Sequence, residues 1–173
     1  MKVLVVVDMQ RDFVNGALGS EAAQAIVPSV AAKIKAYRDA GDYVIFTRDT
    51  HQADYLDTQE GRNLPVPHCI EGTPGWQILP ELEPGTAPVV NKVTFGSEAL
   101  PSVLREAFPR GDMESVELIG LCTDICVISN AMVLKAFFPE VPLLVDPACC
   151  AGVSPDTHKN ALEAMKVCQI QIL

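Results

Sequence analysis

The run Lys-Val-Leu-Val-Val-Val at residues 2–7 constrains the fold more than any other feature of the sequence. Apart from Lys2 it is aliphatic and mostly β-branched, so neither face of such a strand can lie against water. Strands of this kind are covered on both faces, as in a parallel sheet. The run ends at a polar residue, Asp8. We predict further strands at residues 43–47, 89–90, 116–121, 141–145 and 168–172.

Segments with helical spacing of apolar residues lie between these strands. The first runs from Pro28, which suits a first helical turn, to Ala40, and Gly41 ends it. Further helices are predicted at residues 97–108, about 124–138 and 155–166. Strands that alternate with helices predict an α/β fold: a three-layer (αβα), Rossmann-like parallel sheet with helices on both faces. We expect one domain over residues 1–173.

Residues 52–87 are rich in proline, glycine and charge, and only a short helix near Trp76–Leu79 is predicted there. A loop this long inside a compact domain is usually functional or disordered.

Charge and composition exclude several classes of protein. The net charge is −9 with no basic run, which argues against nucleic-acid binding. The apolar runs are too short for a bilayer span, and no signal peptide is recognisable, so we expect a cytoplasmic protein without membrane contact. The six cysteines form no C-x-x-C pair, and most are expected to be small buried hydrophobic residues. One of them is expected to be catalytic.

Polar residues follow several predicted strands: Asp8, the cluster at 48–51, Lys92 and the segment 122–126. Ligands of parallel sheets bind beyond the carboxyl ends of the strands. We therefore expect these residues to converge on one cleft.

Cys126 lies where a buried strand passes into a helix. If Thr123 or Asp124 caps that helix, Cys126 falls in its first turn, where free amides and the helix dipole favour a thiolate. The same amides can donate to an oxyanion. A buried helix cysteine without a chemical role is the alternative.

Together with Cys126 as a possible nucleophile, Asp8 could serve as the base and Lys92 as a nearby cation. The base accepts the thiol proton, and the ammonium holds both anions in place. Taken singly, Asp8 could instead cap a turn and Lys92 could be solvated. His158 lies in a polar helix, and we expect it to be solvated too.

A second cluster combines two imidazoles with two carboxylates, which suits zinc, iron or manganese better than calcium. Its members are Asp49, His51, Glu60 and His68. Asp54 and Asp57 in the same loop are rival ligands.

Three motifs together resemble the isochorismatase-like cysteine hydrolases, and most closely their nicotinamidase/pyrazinamidase branch. They are Val7–Phe13 (Val-Asp-Met-Gln-Arg-Asp-Phe), Lys92 followed by Thr-Phe-Gly-Ser at 94–97, and Gly120–Val127 with its Thr-Asp-x-Cys-Val. The resemblance extends over nearly the whole chain.

This resemblance implies a catalytic triad of Asp8, Lys92 and Cys126. It also implies an oxyanion hole made by the backbone amides of Cys122 and Cys126, with a cis peptide bond between Leu121 and Cys122.

Nicotinamidases bind one divalent ion that holds the pyridine nitrogen. Asp49, His51 and His68 match that site. The resemblance implies a histidine or a glutamate as the fourth ligand, and because no histidine lies between residues 51 and 68, Glu60 is our choice. We expect zinc, with iron or manganese as alternatives. Candidate walls for the substrate ring are Phe13, Leu64 and Phe95, whereas Trp76 is expected to be an ordinary core residue.

The expected activity is hydrolysis of nicotinamide, or a similar small aromatic amide, to the acid and ammonia through a cysteine thioester. Another small-amide or carbamoyl hydrolase of the same family is an alternative. A non-enzymatic redox or binding protein, with a regulatory disulfide between Cys122 and Cys126, is a further one. Members of the family often self-associate, so a homo-oligomer is expected.

Overall fold

A computed structural model describes all residues 1–173 and contains one six-stranded parallel sheet in the order β3-β2-β1-β4-β5-β6. This confirms the predicted α/β fold. The aliphatic run at residues 2–7 forms β1, which lies at the centre of the sheet between β2 and β4. The strands are β1 Lys2–Val7, β2 Tyr43–Asp49, β3 Val89–Lys92, β4 Ser115–Leu121, β5 Leu143–Ala151 and β6 Gln171–Ile172.

Helices cover both faces of the sheet. They are α1 Arg11–Val14, α2 Glu21–Ala25, α3 Val27–Asp39, α4 Gln59–Asn63, α5 Leu100–Ala107, α6 Ile128–Phe137 and α7 Pro155–Val167. Alternate side chains of β1 enter two separate cores: Val5 packs with residues of α5, α6 and α7, and Leu4 packs with residues of α1, α2 and α3. This double burial explains why the first strand has no polar face. No helix is long and apolar enough to cross a bilayer.

Strand β5 extends well past its predicted end at Val145. The sequence Asp-Pro at 146–147 looks like a strand end, but the strand shifts register there and pairs again with β4 through Cys150 and Ala151. The irregularity carries β5 to the edge of the sheet where the other strands end.

Several helices also differ from the prediction in where they begin or whether they were predicted at all. Helix α5 begins at Leu100, whose amide donates to the Ser97 side chain, and not at Ser97 itself. A π-helical turn at Thr123–Val127 precedes α6, where one continuous helix was predicted. The short helices α1, α2 and α4 were not predicted, and the helix expected near Trp76–Leu79 is a single 3-10 turn at Pro74–Trp76.

Gly120 allows β1 and β4 to approach closely at their ends. Its φ is 116°, and a β-carbon there would lie 2.1 Å from the carbonyl oxygen of Val7. Any other residue would therefore push the two strands apart, directly before Asp8 and Cys122.

A buried ionic cluster joins α3 to the middle of the sheet. Glu117 on β4 is almost completely buried, and its carboxylate lies 2.7 Å from the Lys33 Nζ and accepts a hydrogen bond of 2.7 Å from the Tyr37 hydroxyl. Lys33 also pairs with Asp146 at 2.9 Å. Burial by itself would lower the pKa of Lys33, but hydrogen bonds to the two carboxylates raise it.

Lys33→Met is expected to lower the free energy of unfolding by about 3 kcal/mol, because it leaves the Glu117 carboxylate buried without its cation. Urea unfolding at pH 7 measures the loss. Lys35→Met on the same helix is the matched control, because its pair with Asp39 is exposed and contributes less than about 1 kcal/mol. Equal losses in the two variants would contradict this interpretation.

Candidate active site

The carboxyl ends of four strands bring buried polar side chains together, as the sequence predicts. Asp8 follows β1, Asp49 ends β2, Lys92 ends β3, and Cys126 follows β4. All four are buried. Their convergence makes this edge of the sheet the candidate active site.

The Lys92 ammonium lies at the centre of these side chains. Its Nζ is 2.6 Å from Asp8 Oδ2, 3.1 Å from Asp49 Oδ1 and 3.4 Å from Cys126 Sγ, and it donates to the carbonyl of Thr94 at 3.0 Å. Burial alone would lower the pKa of Lys92, but the surrounding anionic groups, Asp8 first, raise it. Lys92 is therefore a buried cation and not a solvated lysine.

Asp8 is fully buried and adopts a left-handed backbone conformation with φ 48°. Its Oδ1 accepts a hydrogen bond of 2.7 Å from the Thr47 hydroxyl, while Oδ2 faces Lys92 without a well-directed hydrogen bond. Burial raises the pKa of Asp8, and Lys92 opposes that rise. A carboxylate in these surroundings can accept a proton from a neighbouring group.

The Cys126 thiol is that neighbour. Burial, together with the charge of Asp8, raises the pKa of Cys126 well above its ordinary value, although Lys92 lowers it. The sulfur is thus held as a thiol beside a base, and it can become a thiolate when Asp8 takes the proton.

The turn that carries the thiol differs from the predicted helix start. We call Thr123–Val127 the cysteine turn. The carbonyl of Cys122 accepts hydrogen bonds from the amides of Ile125 at 3.1 Å and Val127 at 3.0 Å, and no side chain caps the turn. The prediction that Thr123 or Asp124 caps it is therefore wrong. The peptide bond between Leu121 and Cys122 is cis, as the resemblance implies.

Thr123 and Asp124 instead tie the cysteine turn to the chain after β5. The Thr123 hydroxyl is hydrogen-bonded to Nδ1 of His158 at 2.8 Å, and the Asp124 carboxylate accepts from the amide of Val153 at 3.0 and 3.1 Å. His158 is half-buried in this contact, so the expectation of a solvated side chain is wrong. Its partner is distant in the chain, which is why sequence reasoning missed it.

A group of four side chains next to the triad could hold a metal ion. We call Asp49, His51, Glu60 and His68 the metal group. His51 Nε2 lies 3.0 Å from Asp49 Oδ2 and 3.5 Å from Glu60 Oε1, and His68 Nε2 is 3.7 Å from both oxygens. Ligands about 2.1 Å from a tetrahedral zinc ion would be about 3.4 Å apart, so the group is close to that geometry. Asp54 and Asp57, the rival ligands, are exposed and outside it.

The two imidazoles present nitrogen atoms that fit a metal ion. His68 Nδ1 lies 2.8 Å from the carbonyl of Val66, which can only accept, so Nδ1 carries the proton and Nε2 is free to coordinate. His51 Nε2 is buried without a well-directed hydrogen bond. Burial alone would lower the pKa of His51, but Asp49 and Glu60 raise it to about 9. A metal ion that binds here at neutral pH therefore displaces a proton from His51. Two carboxylates and two imidazoles thus form a candidate site for one divalent metal ion.

Asp49 joins the metal group to the triad, and Gln10 fixes its backbone. One carboxylate oxygen of Asp49 faces Lys92 and the other faces His51. The Gln10 side chain accepts from the amide of Asp49 at 2.7 Å and donates to its carbonyl and to that of Trp76 at 2.9 Å each. Gln10 lies within the motif Val7–Phe13, but the sequence does not reveal its role, because its partners are distant in the chain.

A cavity of about 500 Å³ opens onto both the thiol and the metal group. The three predicted ring walls, Phe13, Leu64 and Phe95, all line it. Trp76 does not line it, but the prediction of an ordinary core residue is wrong, because Trp76 is half-buried and belongs to neither core. Its ring stacks on Arg48, and its Nε1 donates to Thr50 at 2.9 Å. Cys122 also lines the cavity, and all six cysteines are free.

Known proteins share this fold and much of this sequence. The isochorismatase domain matches residues 2–173. The nicotinamidase/pyrazinamidase of Mycobacterium tuberculosis is 31% identical, over 100% of this chain and 98% of its own length. The crystal structure of the pyrazinamidase of Pyrococcus horikoshii in complex with zinc has a TM-score of 0.87 at 28% identity, and covers 99% of this chain and 98% of that one. The nicotinamidase/pyrazinamidase of Bacillus subtilis has a TM-score of 0.85 at 29% identity, with 99% of each chain covered.

These similarities define the chain first as a hydrolase that acts on amides. It belongs to the isochorismatase family, near the nicotinamidase branch. The predicted family and the predicted class of enzyme are therefore confirmed, and the alternative of a non-enzymatic redox or binding protein is set aside.

Thr123→Val is expected to speed alkylation of Cys126 by iodoacetamide about fivefold, because loss of the bond to His158 loosens the cysteine turn by about 1 kcal/mol and gives the reagent access to a buried thiol. The measurement is the alkylation rate of Cys126, followed by mass spectrometry. The free energy of unfolding of this variant should fall by about 1 kcal/mol.

Thr157→Val is the matched control, because its hydroxyl accepts a hydrogen bond of 3.1 Å from the amide of Ser154 in the exposed capping box of α7. It should lose about 1 kcal/mol of stability while the alkylation rate stays unchanged. An equal acceleration in both variants would show that the contact between Thr123 and His158 has no special effect on the thiol.

Proposed function

We propose that this protein hydrolyses nicotinamide, a pyridine carboxamide, to the acid and ammonia through a thioester on Cys126. The observation that carries the proposal is the single cavity that exposes a nucleophilic thiol and a metal group, with Asp49 shared between that group and Lys92. The names of the Mycobacterium and Bacillus relatives give independent support.

In the proposed reaction Asp8 accepts the Cys126 proton as the sulfur attacks the amide carbon. The carbon–nitrogen bond then breaks, Asp8 returns the proton to the departing nitrogen, and ammonia leaves. A water molecule, deprotonated by Asp8, hydrolyses the thioester and regenerates the thiol. Lys92 keeps Asp8 ionised between these steps and holds it 2.6 Å from its ammonium.

The negative charge on the amide oxygen needs donors. We propose the backbone amides of Cys122, which immediately precedes the cysteine turn, and of Cys126, which lies within it and carries the sulfur. Amides fixed by the backbone require no reorganisation as the charge develops. The hydrogen bonds of Ile125 and Val127 to the Cys122 carbonyl support this, because they fix the orientation of the turn.

The metal group is proposed to hold one zinc ion through Asp49, His51, Glu60 and His68. Zinc is favoured by two imidazole ligands at near-tetrahedral spacing, and iron or manganese would use the same donors. When bound, the ion would supply an electrophilic contact for the pyridine nitrogen. Phe13, Leu64 and Phe95 would then enclose the ring.

Cys126→Ala is expected to abolish ammonia release from nicotinamide while metal content stays unchanged, because the substitution removes the nucleophile but none of the ligands. Purified protein analysed for metal and assayed for ammonia provides the measurement. Cys168→Ala, which removes an exposed thiol that does not line the cavity, is the control and should retain full activity. Turnover by Cys126→Ala would disprove the nucleophile.

Glu60→Ala is expected to lower metal affinity at least tenfold, because it removes one of four ligands. Elemental analysis after dialysis against a weak chelator measures the bound metal. Asp57→Ala is the matched control: this carboxylate comes from the same loop but is exposed and outside the metal group. Loss of metal from Asp57→Ala, with retention in Glu60→Ala, would assign the fourth ligand to Asp57.

A further inference from the structure

The mouth of the active-site cavity is surrounded by apolar side chains from four separate segments. We call Leu18, Leu64, Phe95 and Val153 the apolar rim. Leu64 is 38% exposed, Phe95 42% and Val153 69%. Large exposed apolar side chains that gather around one opening mark a binding surface more often than chance exposure does.

The cavity is also larger than an unsubstituted pyridine carboxamide requires. The nine non-hydrogen atoms of nicotinamide would fill about 270 Å³ even at the ~30 Å³ that a water molecule takes in the liquid. The cavity has about 500 Å³. Space for several further heavy atoms therefore remains beside a bound ring.

The chemistry of that remaining space is apolar. The only charged side chains among the lining residues are Asp49 and Glu60, which belong to the metal group. Beyond the metal group and the two cysteines the lining is mostly apolar, with the apolar rim and residues such as Ile125. Its one hydroxyl side chain, Ser20, already accepts a hydrogen bond from the amide of Ala23. No charged partner for a substrate side group faces the outer part, so a neutral, apolar substituent fits it best.

The direction of the substituent follows from the two contacts of the ring. This step depends on the proposed function, in which the carboxamide lies at Cys126 and the ring nitrogen at the metal group. The ring position meta to both of these points then faces away from them, toward the rest of the cavity.

We propose that the site accepts pyridine carboxamides that carry an apolar alkyl substituent at the 5-position of the ring, and that the apolar rim binds that substituent. The rim thereby determines the specificity of the enzyme for amides larger than nicotinamide.

The test compares nicotinamide with 5-propylnicotinamide on the metal-loaded protein. Each buried methylene contributes about 0.8 kcal/mol, which is about fourfold in affinity. We expect kcat/KM to be at least tenfold higher for the propyl compound. In Val153→Ser that ratio should fall about fourfold, because the rim loses apolar area. An equal or lower kcat/KM for 5-propylnicotinamide would overturn the proposal.

Val167→Ser is the matched control. It makes the same change at another exposed valine, 84% exposed on α7 and outside the cavity, and it should leave the ratio unchanged. If the rim is instead an interface between copies of the chain, Val153→Ser will change the mass measured by light scattering and leave the ratio unaltered, which also overturns the proposal.

Binding to the Cys126→Ala protein separates this inference from the proposed function. Calorimetry should show 5-propylnicotinamide binding at least tenfold more tightly than nicotinamide. If the propyl compound binds more tightly but the wild-type protein releases no ammonia from either amide, the proposed function is disproved and the role of the apolar rim in binding stands. If nicotinamide is hydrolysed but the propyl compound binds no more tightly than nicotinamide, the proposed function stands and the role of the apolar rim is disproved.

Discussion

The buried ammonium of Lys92 is the constraint on which the site depends. It lies among Asp8, Asp49 and Cys126 and is almost completely buried. A buried cation is tolerated only when anions are close, and buried carboxylates need a cation in the same way. The ends of β1, β2 and β3 must therefore meet at one point, and the cysteine turn has to end beside them.

Asp49 extends this constraint from the thiol to the metal group. With one oxygen on Lys92 and the other on His51, its carboxylate belongs to both halves of the site. Burial would raise the pKa of Asp49, but His51 and Lys92 hold it below its ordinary value. A change in either half alters the charge that the other half experiences. Gln10 keeps the backbone of Asp49 fixed while its carboxylate serves both.

The sequence predicted those parts of the site that follow directly from strand ends and motifs. Asp8 and Lys92 stand where apolar runs stop, so the parallel sheet brings them together. The helix start at Cys126 was predicted with the wrong cap, because a π-helical turn places hydrogen bonds on the Cys122 carbonyl that no side-chain pattern reveals. The contact of His158 with Thr123 depends on how α7 packs against the turn. Contacts of this kind are set by tertiary packing and leave no local signal.

Gly120 shows how a residue without functional groups can limit the variation of an active site. Its missing side chain leaves room for the Val7 carbonyl, where a β-carbon would lie at only 2.1 Å. The residues that follow on each strand are Asp8 on one and, after Leu121, Cys122 on the other. Position 120 thus has no part in the chemistry and almost no freedom to change. In a set of related sequences it would be as invariant as the nucleophile, for reasons of space alone.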